Sequence, residues 1–157
     1  MTHLTRFSFG ATSAIVTSLA FIVGLSGNSK LTIIVSLIVF AVADNISDSL
    51  GLHIFQESDL KKPKVVSIST FSNFFTRFLV VIIFILMVAF LPMEYAVGAS
   101  IIYGVSLPSV LSYYIAKEQK TSPYFSILEH VAIAILVIII SFFAYMDYKC
   151  FYGLNYK

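Results

Sequence analysis

The chain has 157 residues, 59% of them hydrophobic and only 11% charged, with a formal net charge of +2 and a mean hydropathy of +0.94. Soluble domains are about 45–50% apolar and about 25% charged, and one of this size hides only about 70% of the surface its unfolded chain exposes. Composition therefore excludes an ordinary soluble fold and points to an integral, multi-pass membrane protein whose first partner is the lipid bilayer. The small net charge, with no Lys/Arg stripe interleaved with aromatics, gives no reason to expect nucleic acid, and the lone Cys150 excludes an intrachain disulfide.

A membrane-spanning helix needs about 20 largely apolar residues. Five stretches qualify in chain order, approximately 7–25, 31–55, 71–91, 95–116 and 127–146, and together they predict a single transmembrane domain over 1–157, all-α, with five transmembrane helices. Arg6 ahead of the first run, with Gly24 and Ser26 behind it, has some features of a cleavable signal, but the amino-terminal charge is weak and further spans follow, so the run is read as a retained helix. Gly27-Asn28, Pro63, Pro92 and the stretch from Lys117 to Pro123 supply the turn chemistry between spans. The connections are short, so successive helices run antiparallel.

The first span carries Gly10, Ser13, Ala14, Thr17, Ala20 and Gly24 at three- and four-residue intervals, with Gly10, Thr17 and Gly24 on one seam. Small residues let membrane helices approach closely, and hydroxyls bond across helices or present oxygen to an ion.

The second span holds the most informative residues. Asp44 and Asp48 lie four apart, hence on one helix face, within Ala-Asp-Asn-Ile-Ser-Asp-Ser-Leu-Gly. A carboxylate at the centre of a bilayer costs on the order of 2.5–3.5 kcal/mol on insertion scales, so an intramembrane acid marks a cation, a proton path or a partner. Two readings stay open. In one, Asp44 and Asp48 bind a metal ion, with Asn45, Ser47, Ser13 and Thr17 supporting its path. In the other, the acids satisfy each other or pair with Arg77 and fix helix packing. Beyond them His53, Glu57 and Asp59 form either a cytosolic funnel or a solvated helix end.

Basic residues set the orientation. Arg6, Lys61, Lys62, Lys64, Arg77, Lys117 and Lys120 fall on one side, and Lys30, Lys149 and Lys157 on the other. The excess places the amino terminus in the cytosol and the carboxy terminus outside or in a lumen. Asp44 and Asp48 then lie about 20 Å and about 25 Å along the second helix from its far end, in the cytosolic half of the bilayer, at about 1.5 Å per residue. Arg77 itself is read as snorkelling to the headgroups, with a salt bridge to the second helix as the alternative.

In the fourth span, Pro108 stands among Gly104, Ser106, Ser109 and Ser112. A mid-helix proline frees a carbonyl, which makes Pro108 a candidate hinge, although prolines are also common in ordinary membrane helices. Glu129 and His130 open the fifth span, where an acid is favoured by the helix dipole. No glycine-rich phosphate loop, His-Glu-x-x-His or nucleophile elbow occurs, so an enzyme is not expected.

Two stretches carry a family resemblance. Ile15-Val16-Thr17-Ser18-Leu19-Ala20 with Gly24, and Ala43-Asp44 with Ser47 and Gly51 running on to Glu57-Ser58-Asp59, resemble the first- and second-helix signatures of the vacuolar iron transporter family. The match covers 13–25 and 39–59; elsewhere it extends to architecture and Pro92. The resemblance implies a homodimeric transporter that carries Fe²⁺ or Mn²⁺ out of the cytosol in exchange for protons, with no cofactor beyond the carried ion. Two copies meeting at their first helices would then bring four carboxylates together. The chain departs from the family pattern in three ways. Ser13 stands where the family has an aspartate, Asp48 stands where it has a methionine, and the cytosolic metal-collecting insertion between spans two and three is missing. Carboxylates and hydroxyls are hard ligands that suit Mg²⁺, Ca²⁺ and Mn²⁺ and tolerate Fe²⁺. The alternative to a transporter is a membrane scaffold or assembly subunit that kept the fold without the flux.

Overall fold

The computed structural model describes residues 3–153, with side chains from Gly10 to Phe151. The described residues form five helices: α1 (His3–Gly24), α2 (Lys30–Ser58), α3 (Pro63–Phe90), α4 (Met93–Glu118) and α5 (Pro123–Gly153), with no strand among them. Four of these, α2 to α5, are long and apolar enough to cross a membrane. Multi-pass membrane architecture is compatible with that composition, and so is the surface. Leu128, Ile135, Leu136, Ile139, Ile140 and Phe143 of α5 are all exposed, whereas soluble monomers rarely show contiguous apolar patches above a few hundred Å².

Each helix begins where chain chemistry allows. Ser29 caps α2, its hydroxyl accepting from the amide of Thr32 at 3.1 Å. Pro63 opens α3, Pro92 is the N-cap of α4 and Pro123 opens α5, positions where a missing amide hydrogen costs nothing. Leu60 and Lys120 take positive φ in the turns after α2 and α4. Lys30 donates to the carbonyl of Leu91 at 2.6 Å. A cation is thereby set at the carboxy-terminal end of α3, where the helix dipole favours it.

The helices outrun the apolar stretches that predict them. α3 starts at Pro63 rather than near Phe71, and α5 starts at Pro123 rather than near Ile127. Backbone hydrogen bonding continues past the point where side chains turn polar, which hydropathy does not register. Glu129 and His130 consequently lie in the second turn of α5, not at its amino end.

The small-residue helix α1 touches all four others. Ala11, Ala14, Ile15, Leu19 and Ile22 are buried, as is Ser18, and an apolar cluster joins the five apolar ones to Ile33, Leu37, Val80, Phe84, Val88, Ala96 and Leu111. Gly104 of α4 lies against Leu19, where a Cβ would come within 2.5 Å of its Cδ1. α2 packs mainly on α3, and α4 on α5.

Candidate functional site

The polar residues that hydropathy treats as interruptions meet on the contact between α2 and α3. Arg77, in the middle of α3, is completely buried (0% exposed). Its guanidinium holds three residues of α2, the adjacent Asp44 and Asn45 and, one turn on, Asp48. Nε donates to Asn45 Oδ1 at 2.9 Å, Nη1 to Asp48 Oδ2 at 2.7 Å, and Nη2 to Asp44 Oδ2. Charge-assisted bonds of this kind are roughly twice as strong as neutral ones.

This overturns the snorkelling reading of Arg77 and bears out its alternative, the salt bridge to the second helix. The physical reason is local neutralisation: two carboxylates stand level with the guanidinium, so extending to the headgroups would strand both. With Arg77 removed from the count of basic residues, the excess on its side persists in Arg6, Lys61, Lys62, Lys64, Lys117 and Lys120.

The pair is not sealed. The side chains of Asp44 and Asp48 keep 30% and 31% of their exposure. Each gives Oδ2 to Arg77, and among the described residues Oδ1 of each accepts no hydrogen bond. Ala43, Ser47 and Gly51, on the same side of α2, are exposed. Within the described cluster, two carboxylates face one guanidinium, so one negative charge is left over.

Asn73, one turn from Arg77, makes weak contacts from Nδ2 to Ser49 Oγ at 3.4 Å and to Asp48 Oδ2 at 3.5 Å. Gly10 of α1 makes room for this pair of α3 side chains: a Cβ there would meet Asn73 Oδ1 at 2.6 Å and Arg77 Cγ at 3.2 Å. On the other side of the cluster the α2–α3 contact turns apolar. Ile38, Ala41, Val42, Phe78, Val81, Ile82 and Ile85 line a groove of about 240 Å³ there.

The remaining candidates fall in different places. Asn45 is buried and serves Arg77 rather than the open face; Ser47 lies on the exposed side. Ser13 and Thr17 are half-buried on α1, with the Thr17 hydroxyl donating to the carbonyl of Ser13 at 3.0 Å. No hydrogen bond among the described residues joins them to the acids. His53 lies 3.4 Å from Glu57 and bonds Thr70 through Nδ1 at 3.1 Å, while Asp59 pairs with Lys61 at 3.1 Å. The three do not form one cluster, and no group of three or more His, Cys, Asp or Glu able to hold a metal occurs among the described residues. α4 runs unbroken through Pro108, whose carbonyl accepts from the buried Ser112 hydroxyl at 2.7 Å. His130 of α5 reaches Ser112 at 2.9 Å and ties α5 to α4.

Sequence reasoning missed Asn73, Ser49 and the role of Gly10. A signal was present: Ser69, Asn73 and Arg77 recur every four residues on α3, and Asn45 and Ser49 do so on α2. Such spacing is a helix stripe.

What these observations define is an all-helical protein, its helices fit for a bilayer, with an acid–arginine cluster between two of them. No family model matches the chain, and no curated protein matches it.

Proposed function

We propose that the chain is a membrane carrier for a divalent transition-metal cation, Fe²⁺ or Mn²⁺, moved out of the cytosol in exchange for protons and working as a homodimer. The observation that carries the reading is the surplus of carboxylate over guanidinium at Asp44, Asp48 and Arg77, with both acids part-exposed on one face. The resemblance of the first two helices to the vacuolar iron transporter family supplies the direction and the ion class.

In this mechanism Arg77 is the resident counter-ion. It keeps the empty carboxylates close to neutral, which lowers their cost in a medium of low dielectric. An arriving cation meets the two Oδ1 atoms, which accept no hydrogen bond among the described residues, and competes with Arg77 for the acids. A proton on either carboxylate competes in the same way, so cation and proton exclude each other. That mutual exclusion is the linkage an exchanger needs. Ser47 offers an oxygen on the open face beside the acids, Asn45 holds Arg77 in place, Ser13 and Thr17 offer oxygens from α1, and His53, Glu57 and Asp59 line the cytosolic mouth.

The test is uptake of Fe²⁺ and Mn²⁺ into proteoliposomes loaded with an ion-sensitive dye. The expected result is flux in the parent chain that vanishes in Asp48→Asn, a variant that keeps an oxygen for Arg77. A folded, reconstituted parent chain that moves neither ion overturns the proposal.

One observation favours a second reading, a membrane scaffold without flux. Arg77 is wholly buried and ties three α2 side chains to α3, which is what a purely structural clamp requires. A silent parent chain that is stable and oligomeric supports it.

A further inference from the structure

On and beside the contact between α2 and α3 lies a row of buried polar atoms that find no hydrogen-bond partner among the described residues. They are Asn45 Nδ2, Ser69 Oγ, Gln56 Oε1 and, on the side of α3 that meets Gly10 of α1, Asn73 Oδ1. All four residues are at least 98% buried. Their order along the helices is regular. Asn45 lies level with Arg77 and Ser49 with Asn73, through the hydrogen bonds already given. His53 lies level with Thr70, next to Ser69. Gln56, one turn further, lies at the end where α2 gives way to Lys61 and Lys62. Each of these levels, from the arginine to that basic end, therefore carries a polar atom with no partner among the described residues. Eleven residues of α2 separate Asn45 from Gln56, a distance of about 16 Å at about 1.5 Å per residue.

Leaving a buried donor or acceptor unsatisfied forfeits its hydration with nothing in return, and a chain that left all four uncompensated would lose much of its marginal stability. Buried sites with several polar atoms within reach are where proteins hold internal water, usually with about three hydrogen bonds per molecule. Beyond Arg77 the same contact has no such atoms among the described residues: there the lining includes Ile38, Ala41, Val81 and Ile85. The polar row thus begins at the cluster and ends at the basic end of the bundle.

We propose that this seam holds a file of water molecules that joins the Asp44–Asp48–Arg77 cluster to the aqueous phase at the basic end. The file satisfies the four orphaned atoms and gives the carboxylates a supply of protons separate from their open lateral face. Arg77 faces the inner end of the file from α3, with Asp44 and Asp48 from α2; His53 and Glu57 stand at its mouth, with Asp59 and Lys61 beyond. This deepens the carrier reading but does not require flux, since a scaffold with a clamped arginine would need the same water.

The test uses the full chain with Cys150→Ser, reconstituted in sealed phosphatidylethanolamine/phosphatidylglycerol vesicles. Single cysteines are placed at Ser69, at Ser49, at Val80 in the apolar half of α3, and at Lys62 to report the fraction of protomers with the basic end outward. A small membrane-impermeant cationic thiol reagent is added outside. The expected result is modification of Ser69→Cys and Ser49→Cys roughly tenfold faster than Val80→Cys, because buried thiols react only where water reaches them. It should also reach the same final fraction as Lys62→Cys. Labelling of Ser69→Cys no faster than Val80→Cys overturns the proposal. Radiolytic hydroxyl labelling of the unsubstituted chain provides a readout without variants. Val66 and Leu52, beside the file, should label above Val80 and Phe84, and equal labelling also overturns it. A seam that labels in a chain with no metal flux refutes the carrier and keeps the file; flux with a dry seam does the reverse.

Discussion

Gly10 of α1 lies against Asn73 of α3 so closely that a Cβ on the glycine would stand 2.6 Å from Asn73 Oδ1 and 3.1 Å from the Asn73 carbonyl oxygen. The second of these is backbone and cannot swing aside. Helix α3 must therefore retreat if Gly10 gains a methyl group, and Arg77, one turn away, must retreat with it. Gly10→Ala should lower stability by about 1–3 kcal/mol, the usual range for overpacking, read as an earlier thermal transition in detergent. Gly51→Ala makes the control, because nothing lies within 4 Å of its added carbon. Alanine there gains helix propensity of about 0.8–1.0 kcal/mol, so the transition should hold or rise.

Removing the guanidinium should be worse than removing the whole cluster. Arg77→Met leaves the part-exposed Asp44 and Asp48 beside each other without a counter-ion; breaking a fully buried ion pair costs about 3–5 kcal/mol, and the exposure of the two acids puts the loss below that. The triple variant Asp44→Asn, Asp48→Asn, Arg77→Gln keeps polar shape and carries no charge. Its thermal transition should recover most of the loss, a non-additivity characteristic of groups in one network. If the triple variant is no more stable than Arg77→Met, the cluster is not an electrostatic unit.

Much of this arrangement was legible before any coordinates. Five apolar stretches, prolines at the breaks and a small-residue first helix anticipate five helices and a first helix that others approach closely; that all four others touch α1 emerges only from the tertiary packing. The acids at 44 and 48 were singled out by burial cost alone. What was not legible is the partner. A single arginine near a span end reads first as snorkelling and only second as paired, and depth misleads here, because α3 begins eight residues before its apolar stretch, at Pro63. That longer helix moves Arg77 from the membrane surface to the level of Asp44. Gly10 was visible as one of a seam of small residues, but the packing direction that turns it toward Asn73 is a tertiary fact.

If Arg77 is a resident counter-ion, its removal should strengthen cation binding even as it weakens the fold. In Arg77→Gln the two carboxylates lose their competitor, and a divalent cation gains both. Mn²⁺ should raise the thermal transition of Arg77→Gln more than that of the parent chain, since a ligand at free concentration L that binds only the folded state stabilises it by RT ln(1 + L/Kd), which grows as Kd falls. Affinity should rise by at least about tenfold, equivalent to about 1.4 kcal/mol, measurable by electron paramagnetic resonance of free Mn²⁺. A shift of the same size in both chains removes Arg77 from the cation's competition.

The α1–α4 contact offers a test of the bundle that is independent of charge. Gly104 of α4 sits on Leu19, with the nearest Leu19 atoms 2.5, 2.9 and 3.0 Å from the carbon that a side chain would add. Leu19 is fully buried in the apolar cluster and has little freedom to turn. Gly104→Val should push α4 from α1 and lower the thermal transition, at a cost of about 1–3 kcal/mol. Shortening the partner should relieve it: Leu19→Ala alone opens a cavity costing about 2–5 kcal/mol, but combined with Gly104→Val the two volume changes offset each other. The double variant should therefore unfold later than Leu19→Ala, a coupling of the size seen for residues in direct contact, about 0.5–3 kcal/mol. Additive losses would mean that α1 and α4 do not meet at these two residues.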